Sequence, residues 1–310
     1  MKIFVIGGTG LVGSYLLPEL IKRGDEVYAL TRSGSKTEKL NNTGVVPVVG
    51  DIRKPESFVS VLPEKLDMIV LLAMPQVVPG KRMTKKKKEE LTEDTNAFFR
   101  NSMNLAIEYD IPIILPGGTS FKTTGDQIAD ETWPVLREGL VEIGADTDVM
   151  VSEAFKTGKP KASQLMYGKI YGNGGMFLFQ YNMIEKGRGG IIGKGDNCIP
   201  NIYAGDIASA IIKIIEKQPW GERFLICDDT PVAQADFVTY MADIMGKKKP
   251  GHVPLFILKL VIGNEFLSII QMNCKVSNEK AKRILGWKPV FPSYREGLKA
   301  VVEEIKASKK

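Results

Sequence analysis

Three glycines at positions 7, 10 and 13, in the run Gly7-Gly8-Thr9-Gly10-Leu11-Val12-Gly13, are the residues best spaced to hold an anion. The first permits a tight turn, the second lets a pyrophosphate approach the backbone, and the third lets a helix pack close to a sheet. The free N–H groups and partial positive charge of a helix start then face the phosphates. Further on stand Leu30-Thr31-Arg32-Ser33, with Lys36 close behind. An acidic residue there, roughly 20 residues past the glycines, would accept hydrogen bonds from a ribose 2′-hydroxyl. Arg32 instead offers charge-assisted bonds to a 2′-phosphate, where a carboxylate would repel it. The pattern predicts a dinucleotide site for NADP(H) in preference to NAD, with a solvated surface arginine as the plainer alternative.

Other chemistries are excluded by scarcity. His252 is the single histidine, so His-based triads and multi-His metal sites are ruled out except through it. Cys198, Cys227 and Cys274 lie far apart with no C-x-x-C pair. A disulfide framework or zinc knuckle is therefore not expected, no metal site is assigned, and a reduced cytoplasmic setting fits best. The net charge of +6 permits an anionic ligand without arguing for nucleic acid. Lys81-Arg82 and Lys85-Lys86-Lys87-Lys88 read as a solvated loop or helix start, or as a docking patch for an anionic small-molecule substrate. With no aromatics interleaved, single-strand nucleic-acid binding is disfavoured.

The elements that must position the glycines can be read around them. Lys2 to Ile6 has the β-branched and aromatic character of a buried parallel strand, Ser14 to Arg23 has apolar residues at helical spacing, and Glu26 to Thr31 reads as a second strand. This strand–turn–helix–strand unit is the context a glycine fingerprint requires. The 310 residues, 44% hydrophobic and 25% charged, suffice for one large domain or two modest ones. No secretory signal is read at the start, since glycines follow the first apolar run at once. The apolar stretch from Val253 to Met272 is interrupted by Lys259, Asn264 and Glu265, whereas a membrane span needs about 20 nearly uncharged residues. It reads as a core or interface helix, with membrane-surface contact the lesser alternative, and no membrane span is expected.

In these motifs the chain resembles the extended branch of the short-chain dehydrogenase/reductases, the NAD(P)-dependent epimerases and dehydratases. Val48-Val49-Gly50-Asp51-Ile52-Arg53 is similar to the family's strand-end aspartate segment beside the adenine, and Met68 to Ala73 to its fourth strand, whose end passes the riboses. Asn96 sits where the family has a helical asparagine. Ile113 to Ser120 resembles the fifth strand, ending at the active-site serine. Ile170-Tyr171-Gly172-Asn173-Gly174-Gly175 resembles the family's YGPGG segment at the nicotinamide end, and Val276 to Pro289 its C-terminal signature. The resemblance implies an α/β fold: a doubly wound parallel Rossmann sheet with a smaller, mostly C-terminal substrate domain. The expected bounds are 1–175 plus a returning segment 201–228 for the first domain, and 176–200 with 229–310 for the second. Gly7, Thr9, Gly10, Leu11, Val12, Gly13, Arg32, Ser33, Asp51, Ile52, Leu72, Ala73 and Met74 are the implied cofactor contacts. A homodimer through helices flanking the fourth and fifth strands is left open.

The catalytic centre departs from this pattern. The family uses a Tyr-x-x-x-Lys pair one helical turn apart, in which the ammonium lowers the tyrosine pKa. None of the nine tyrosines here has a lysine four residues on. Counting back from Glu153 puts Ala145 and Val149 at the pair's places. Ser120 keeps the serine position, either as a hydrogen-bond partner for substrate oxygen or as a cap of the following turn. Tyr167, Lys169 and Tyr171 share one face if their segment is extended, which would allow a relocated pair. Asp146 and Asp148, on the same candidate helix, are equally explained by a solvated face. Tyr203 and Asp206 could face the crevice, or could cap and pack the helix from Ile207. The leading expectation is an NADP(H)-binding oxidoreductase or epimerase-type enzyme with a nonstandard catalytic centre. The alternative is a catalytically inactive NADP(H)-binding redox-responsive regulator or scaffold.

Overall fold

Side-chain alternation along the first strand sets the layers of the molecule. In β1 (Lys2–Ile6), Ile3 and Val5 enter one hydrophobic cluster and Phe4 and Ile6 another, so both faces of the strand are buried. The computed structural model describes residues 1–75, 77 and 81–309, without the side chains of Lys36 and Lys39. After β1 come α1 (Leu11–Lys22), β2 (Glu26–Thr31), α2 (Thr37–Asn41), β3 (Val46–Val49), β4 (Met68–Leu71), α3 (Lys85–Glu108), β5 (Ile113–Gly118), α4 (Ala145–Thr157) and β6 (Ala162–Tyr167). The chain continues through β7 (Lys169–Tyr171), α5 (Gly175–Glu185), β8 (Gly190–Ile192), β9 (Asn201–Tyr203), α6 (Ala204–Lys217) and β10 (Glu222–Ile226). It ends with α7 (Gln234–Ile244), β11 (Gly251–Val253), α8 (Leu255–Ile262), α9 (Asn264–Ile270), α10 (Glu279–Leu285) and α11 (Tyr294–Ser308).

Seven strands form one parallel sheet in the order β10-β6-β5-β4-β1-β2-β3, doubly wound as expected. Strand order reverses between β1 and β4, and an open α/β sheet binds ligands at that switch point, outside the carboxyl ends of its strands. Helices α1 and α6 cover one face, through Leu16, Leu17, Leu20, Ile207 and Ile211. On the other face, α3 and α4 contribute Phe98, Phe99, Val151 and Ala154. A third cluster joins Tyr171 to Phe177, Phe237, Met241, Tyr294 and Leu298, tying α5, α7 and α11 together.

The C-terminal signature braces α6. Trp287 is buried beside Ala281 and Leu285 in the α1/α6 cluster, and its indole N–H lies 2.9 Å from Ser209 Oγ and 3.2 Å from the Asp206 carbonyl. The Asp206 carboxylate accepts the backbone N–H groups of Val290 at 2.5 Å and Phe291 at 3.4 Å. Asp206 thus ties chain to chain instead of facing the crevice. Tyr203 packs edge-on to Tyr15 and Phe291.

Two other expectations are refined. The lysine run opens a long helix: Thr84 Oγ1 caps α3 by accepting from Lys87 N at 3.2 Å, and Asn96 lies well inside that helix. The apolar stretch near residue 260 is not a core helix, because Gly263, at φ +84°, breaks it into α8 and α9 on the surface. No helix among the described residues is long and apolar enough to cross a membrane.

Because Trp287 is enclosed on all sides, Trp287→Ala is expected to lower the unfolding free energy by about 3–5 kcal/mol through loss of burial and an unfilled cavity. Urea denaturation followed by circular dichroism measures this; a change below about 1 kcal/mol would show that the brace is dispensable.

Candidate functional site

At the switch point the glycines are dictated by contact. Gly7 has φ +96°, and a Cβ there would lie 2.5 Å from Ala73 N, so the turn rests on the backbone at the end of β4. A Cβ on Gly13 would lie 2.1 Å from the Gly8 carbonyl oxygen, so only glycine lets α1 start this close to the turn. Gly10 N donates to Gly7 O at 3.0 Å and leaves Thr9 and Gly10 exposed at the crest. Helix α1 starts with no side-chain cap and no acidic residue in its first turn. Its N-terminus is therefore left for an anion.

The expected cofactor contacts fall around this turn. Ile6 O accepts the N–H groups of Leu72 at 2.7 Å and Ala73 at 2.9 Å, bringing the exit of β4 beside Gly7, with Met74 exposed just beyond. Arg32 and Ser33 leave the end of β2, next to the end of β3 and Asp51. Arg32 is exposed and makes no ion pair among the described residues. The side chain of Lys36 lies outside the described residues. Ser33 Oγ accepts from Ser35 N at 3.2 Å, which fixes the turn after Arg32. Asp51 is gripped by Arg53, which also reaches Asp94 at 3.3 Å on α3. The Arg53 guanidinium holds the Asp51 carboxyl below the usual carboxylate range, and the positive charge of Arg32 acts in the same direction. Ile52 is buried, with its carbonyl accepting from Asn101 Nδ2 at 2.8 Å. The uncapped start of α1 and the exposed Arg32 thus lie along the same carboxyl edge of the sheet, an arrangement that fits an NAD(P) coenzyme.

The other end of the trough is walled by the segment after β7. Cβ atoms added to Gly172 and Gly174 would meet Leu11 Cδ1 at 3.1 and 3.3 Å, which presses this segment onto the first turn of α1. Tyr15, on the same helix, donates to Glu304 Oε2 on α11 at 2.8 Å.

Ser120 and Lys169 emerge at one level. Gly118 pairs with Tyr167 in register and Thr119 N donates to Tyr167 O at 3.1 Å; Ser120 lies two residues past that pair beyond β5, and Lys169 two residues past it at the start of β7. Ser120 is half-buried, and its hydroxyl has no hydrogen-bond partner among the described residues, so it does not cap the turn. Lys169 Nζ donates to Gln180 Oε1 at 3.0 Å and lies 4.8 Å from the centroid of the Phe237 ring. Burial in these surroundings pushes its pKa down to about 8.

The two tyrosines do not join Lys169. Tyr167 turns toward the α1/α6 cluster with its hydroxyl enclosed, and Tyr171 is fully buried in the third cluster, against Gly297. Burial raises both phenol pKa values, the opposite of what a neighbouring ammonium does in a Tyr-x-x-x-Lys pair. Lys169 and Tyr171 both pack against Phe237 while Tyr167 turns to the α1/α6 cluster beyond the break at Gly168, and among the described residues no hydrogen bond joins Lys169 to either tyrosine. On α4, Thr147, Val151 and Ala154 face inward while Val149 is 56% exposed. Asp148 pairs with Arg223 at 2.8 Å, and Asp146 accepts from Asn96 Nδ2 at 2.7 Å, so both serve local structure. His252 is exposed, with Nδ1 2.8 Å from Gly193 O.

Sequence reading missed Gln180, Phe237 and Asp228. The first two meet Lys169 only through tertiary packing. Asp228 follows β10 and is buried, with Oδ1 accepting from Thr230 N at 3.2 Å and Oδ2 unpartnered among the described residues. Burial pushes its carboxyl up to about 8 and that of Asp206 up to about 6. A raised folded-state pKa means the stability contributed is full below the unfolded value near 4 and is lost as pH rises through the folded value. Asp228→Asn is thus expected to gain melting temperature relative to the parent chain progressively between pH about 4 and about 8. Scanning calorimetry across that range tests it, and a pH-independent difference would show that Asp228 is already ionised in the fold.

Residues 3–101 match the model of the NAD dependent epimerase/dehydratase family. Over its whole length the chain is similar to a 3-diazoavenalumate denitrifying reductase from a Streptomyces species, at 22% identity covering 96% of this chain and 99% of that one. Among solved structures, a human epimerase family protein with NADPH superposes with TM-score 0.79 at 20% identity, over 98% of this chain and 99% of that one. A UDP-glucose-4-epimerase from Stenotrophomonas maltophila with bound NAD gives TM-score 0.81 at 14% identity, over 100% and 98%. The shared architecture accommodates either coenzyme, so the choice rests on local residues.

Proposed function

We propose that this chain, whose residues 3–101 match the model of the NAD dependent epimerase/dehydratase family, is a member of that family and an NADP(H)-dependent oxidoreductase acting on a small molecule. The substrate lies between the carboxyl edge of the sheet and residues 176–200 and 229–310. The observation that carries the coenzyme choice is Arg32, exposed and free of ion pairs among the described residues, at the strand end where a 2′-phosphate lies. The N–H groups at the start of α1 hold the pyrophosphate, the Asp51-Ile52 turn borders the adenine, and Leu72, Ala73 and Met74 line the riboses. When bound, NADP(H) supplies a hydride donor or acceptor at its nicotinamide.

The chain's own residues position the substrate and handle the proton. Ser120 donates its unengaged hydroxyl to a substrate oxygen or nitrogen. Lys169 carries a proton on Nζ that its surroundings make easier to release than that of an exposed lysine. Neither group is as well placed for strong acid–base work as the family's pair, so positioning carries more of the rate. The Streptomyces relative is named for denitrifying reduction of a diazo compound. A reductase whose substrate carries a good leaving group asks less of its general acid than one that must protonate a carbonyl oxygen. An electron-poor substrate of this kind suits the site.

A second reading has support in the missing Tyr-x-x-x-Lys pair and in the engagement of Lys169 by Gln180. It is a catalytically inactive NADP(H)-binding regulator whose coenzyme biases a binding surface. Loss of NADPH absorbance on adding carbonyl or diazo compounds assigns the enzyme; its persistent absence across a broad panel assigns the regulator.

Arg32→Ala is expected to weaken NADPH binding about 10- to 100-fold, with NADH affinity unchanged, as isothermal calorimetry reads it. Equal losses for both coenzymes would contradict the assignment of Arg32. In turnover, kcat/KM is expected to fall above pH about 8 as Lys169 loses its proton. Lys169→Ala lowers kcat about 100-fold and removes that pH limb. An undiminished rate in the variant would remove Lys169 from the mechanism.

A further inference from the structure

The outer face of α8 is apolar where a surface helix is ordinarily polar. Leu255 rests on Gly193, Leu258 is half-buried and Ile262 is buried, its carbonyl accepting from Met83 N at 3.1 Å; these anchor the inner side. The opposite stripe consists of Phe256, Ile257, Leu260 and Val261, exposed by 68, 42, 72 and 51%. Residues i, i+1, i+4 and i+5 fall within one broad face of a helix, so the four side chains form one patch. Contiguous exposed apolar surface of this kind marks an interaction site.

The sequence around the patch is basic. Residues 247–264 hold four lysines and no carboxylate. Lys247, Lys248, Lys249 and Lys259 make no ion pair among the described residues, although Asp236 and Asp243 share a polar hollow with Lys247 and Lys249. The Arg82 stem lies against Gly263 at the α8–α9 junction. Glu265, on α9, is paired with Lys88 at 3.0 Å, which it shares with Glu142 at 2.7 Å.

We infer that α8 docks this protein onto the surface of an anionic lipid bilayer, with Phe256, Ile257, Leu260 and Val261 entering the headgroup–acyl boundary and the cations at its edge, Lys259 and Arg82, meeting lipid phosphates. Apolar burial combined with electrostatic attraction is how interfacial helices bind. Lys259, at the edge of the stripe, can reach the headgroups with its ammonium while its stem stays among the apolar residues. A second copy of the chain fits less well, because a two-fold interface would set the same edge cations against themselves. Eight residues are too few to span, so the contact is with one leaflet.

Flotation of the full-length protein with vesicles tests this. It is expected to float with vesicles of equal parts phosphatidylcholine and phosphatidylglycerol, and not with phosphatidylcholine alone. Leu260→Glu is expected to reduce binding at least about tenfold, and Lys259→Ala about fivefold. NADPH affinity and melting temperature should stay unchanged in both variants, which separates the docking face from the coenzyme site. Absence of flotation with the anionic vesicles overturns the inference. So does equal flotation with both compositions, or undiminished flotation of Leu260→Glu. A lipid-free dimer that Leu260→Glu dissociates, without vesicle binding, assigns the face to a second copy.

Discussion

Backbone-to-backbone contact at the first turn is the constraint on which the molecule depends. Gly7 lies against the Leu72-Ala73 backbone, and Gly13 lies against the Gly8 carbonyl, with no room for a side chain at either place. This contact aims the uncapped start of α1 at the carboxyl edge of the sheet while the rest of the helix packs on α6. Helix α6 is held in turn by Trp287 and by the Asp206 carboxylate, so residues more than 270 positions from the glycines steady the anion site. An N-terminal dipole acts only within the first turn of a helix. Its usefulness therefore depends on this chain of packing more than on the glycine motif alone.

The parts of this arrangement legible in the sequence are those fixed by short-range rules. Lys2 to Ile6, Glu26 to Thr31 and the glycine turn between them were readable because a buried strand and a close helix approach each restrict residue type locally. The start of α3 was less so: consecutive lysines say little about conformation until Thr84 caps them. Lys169 was legible as a residue of interest but not in its environment, since Gln180 and Phe237 arrive from two later helices. The divergence of Tyr167 and Tyr171 hinges on Gly168, where a Cβ would lie 2.6 Å from Pro200 O; strand periodicity carries no warning of that break. Hydropathy likewise marks α8 as apolar without saying which of its faces the fold covers.

Burial acts on the ionisable groups near the candidate centre with opposite consequences for acids and for a lysine. Burial holds the Tyr167 and Tyr171 phenols neutral and raises Asp228, while it makes Lys169 a better proton donor than a solvated lysine. Among the described residues no ammonium is positioned to reverse this for either tyrosine. A site built this way does not generate a phenolate near neutral pH. In the proposed function it orients a substrate and releases a proton from Lys169, a different division of labour from the tyrosine–lysine pair.

The wall at the far end of the trough links that chemistry to the later half of the chain. Gly172 and Gly174 press on Leu11, Tyr171 anchors the same segment among α5, α7 and α11, and Tyr15 binds Glu304. Helix α1 therefore meets the Gly172–Gly174 segment with its first turn and α11 one turn later.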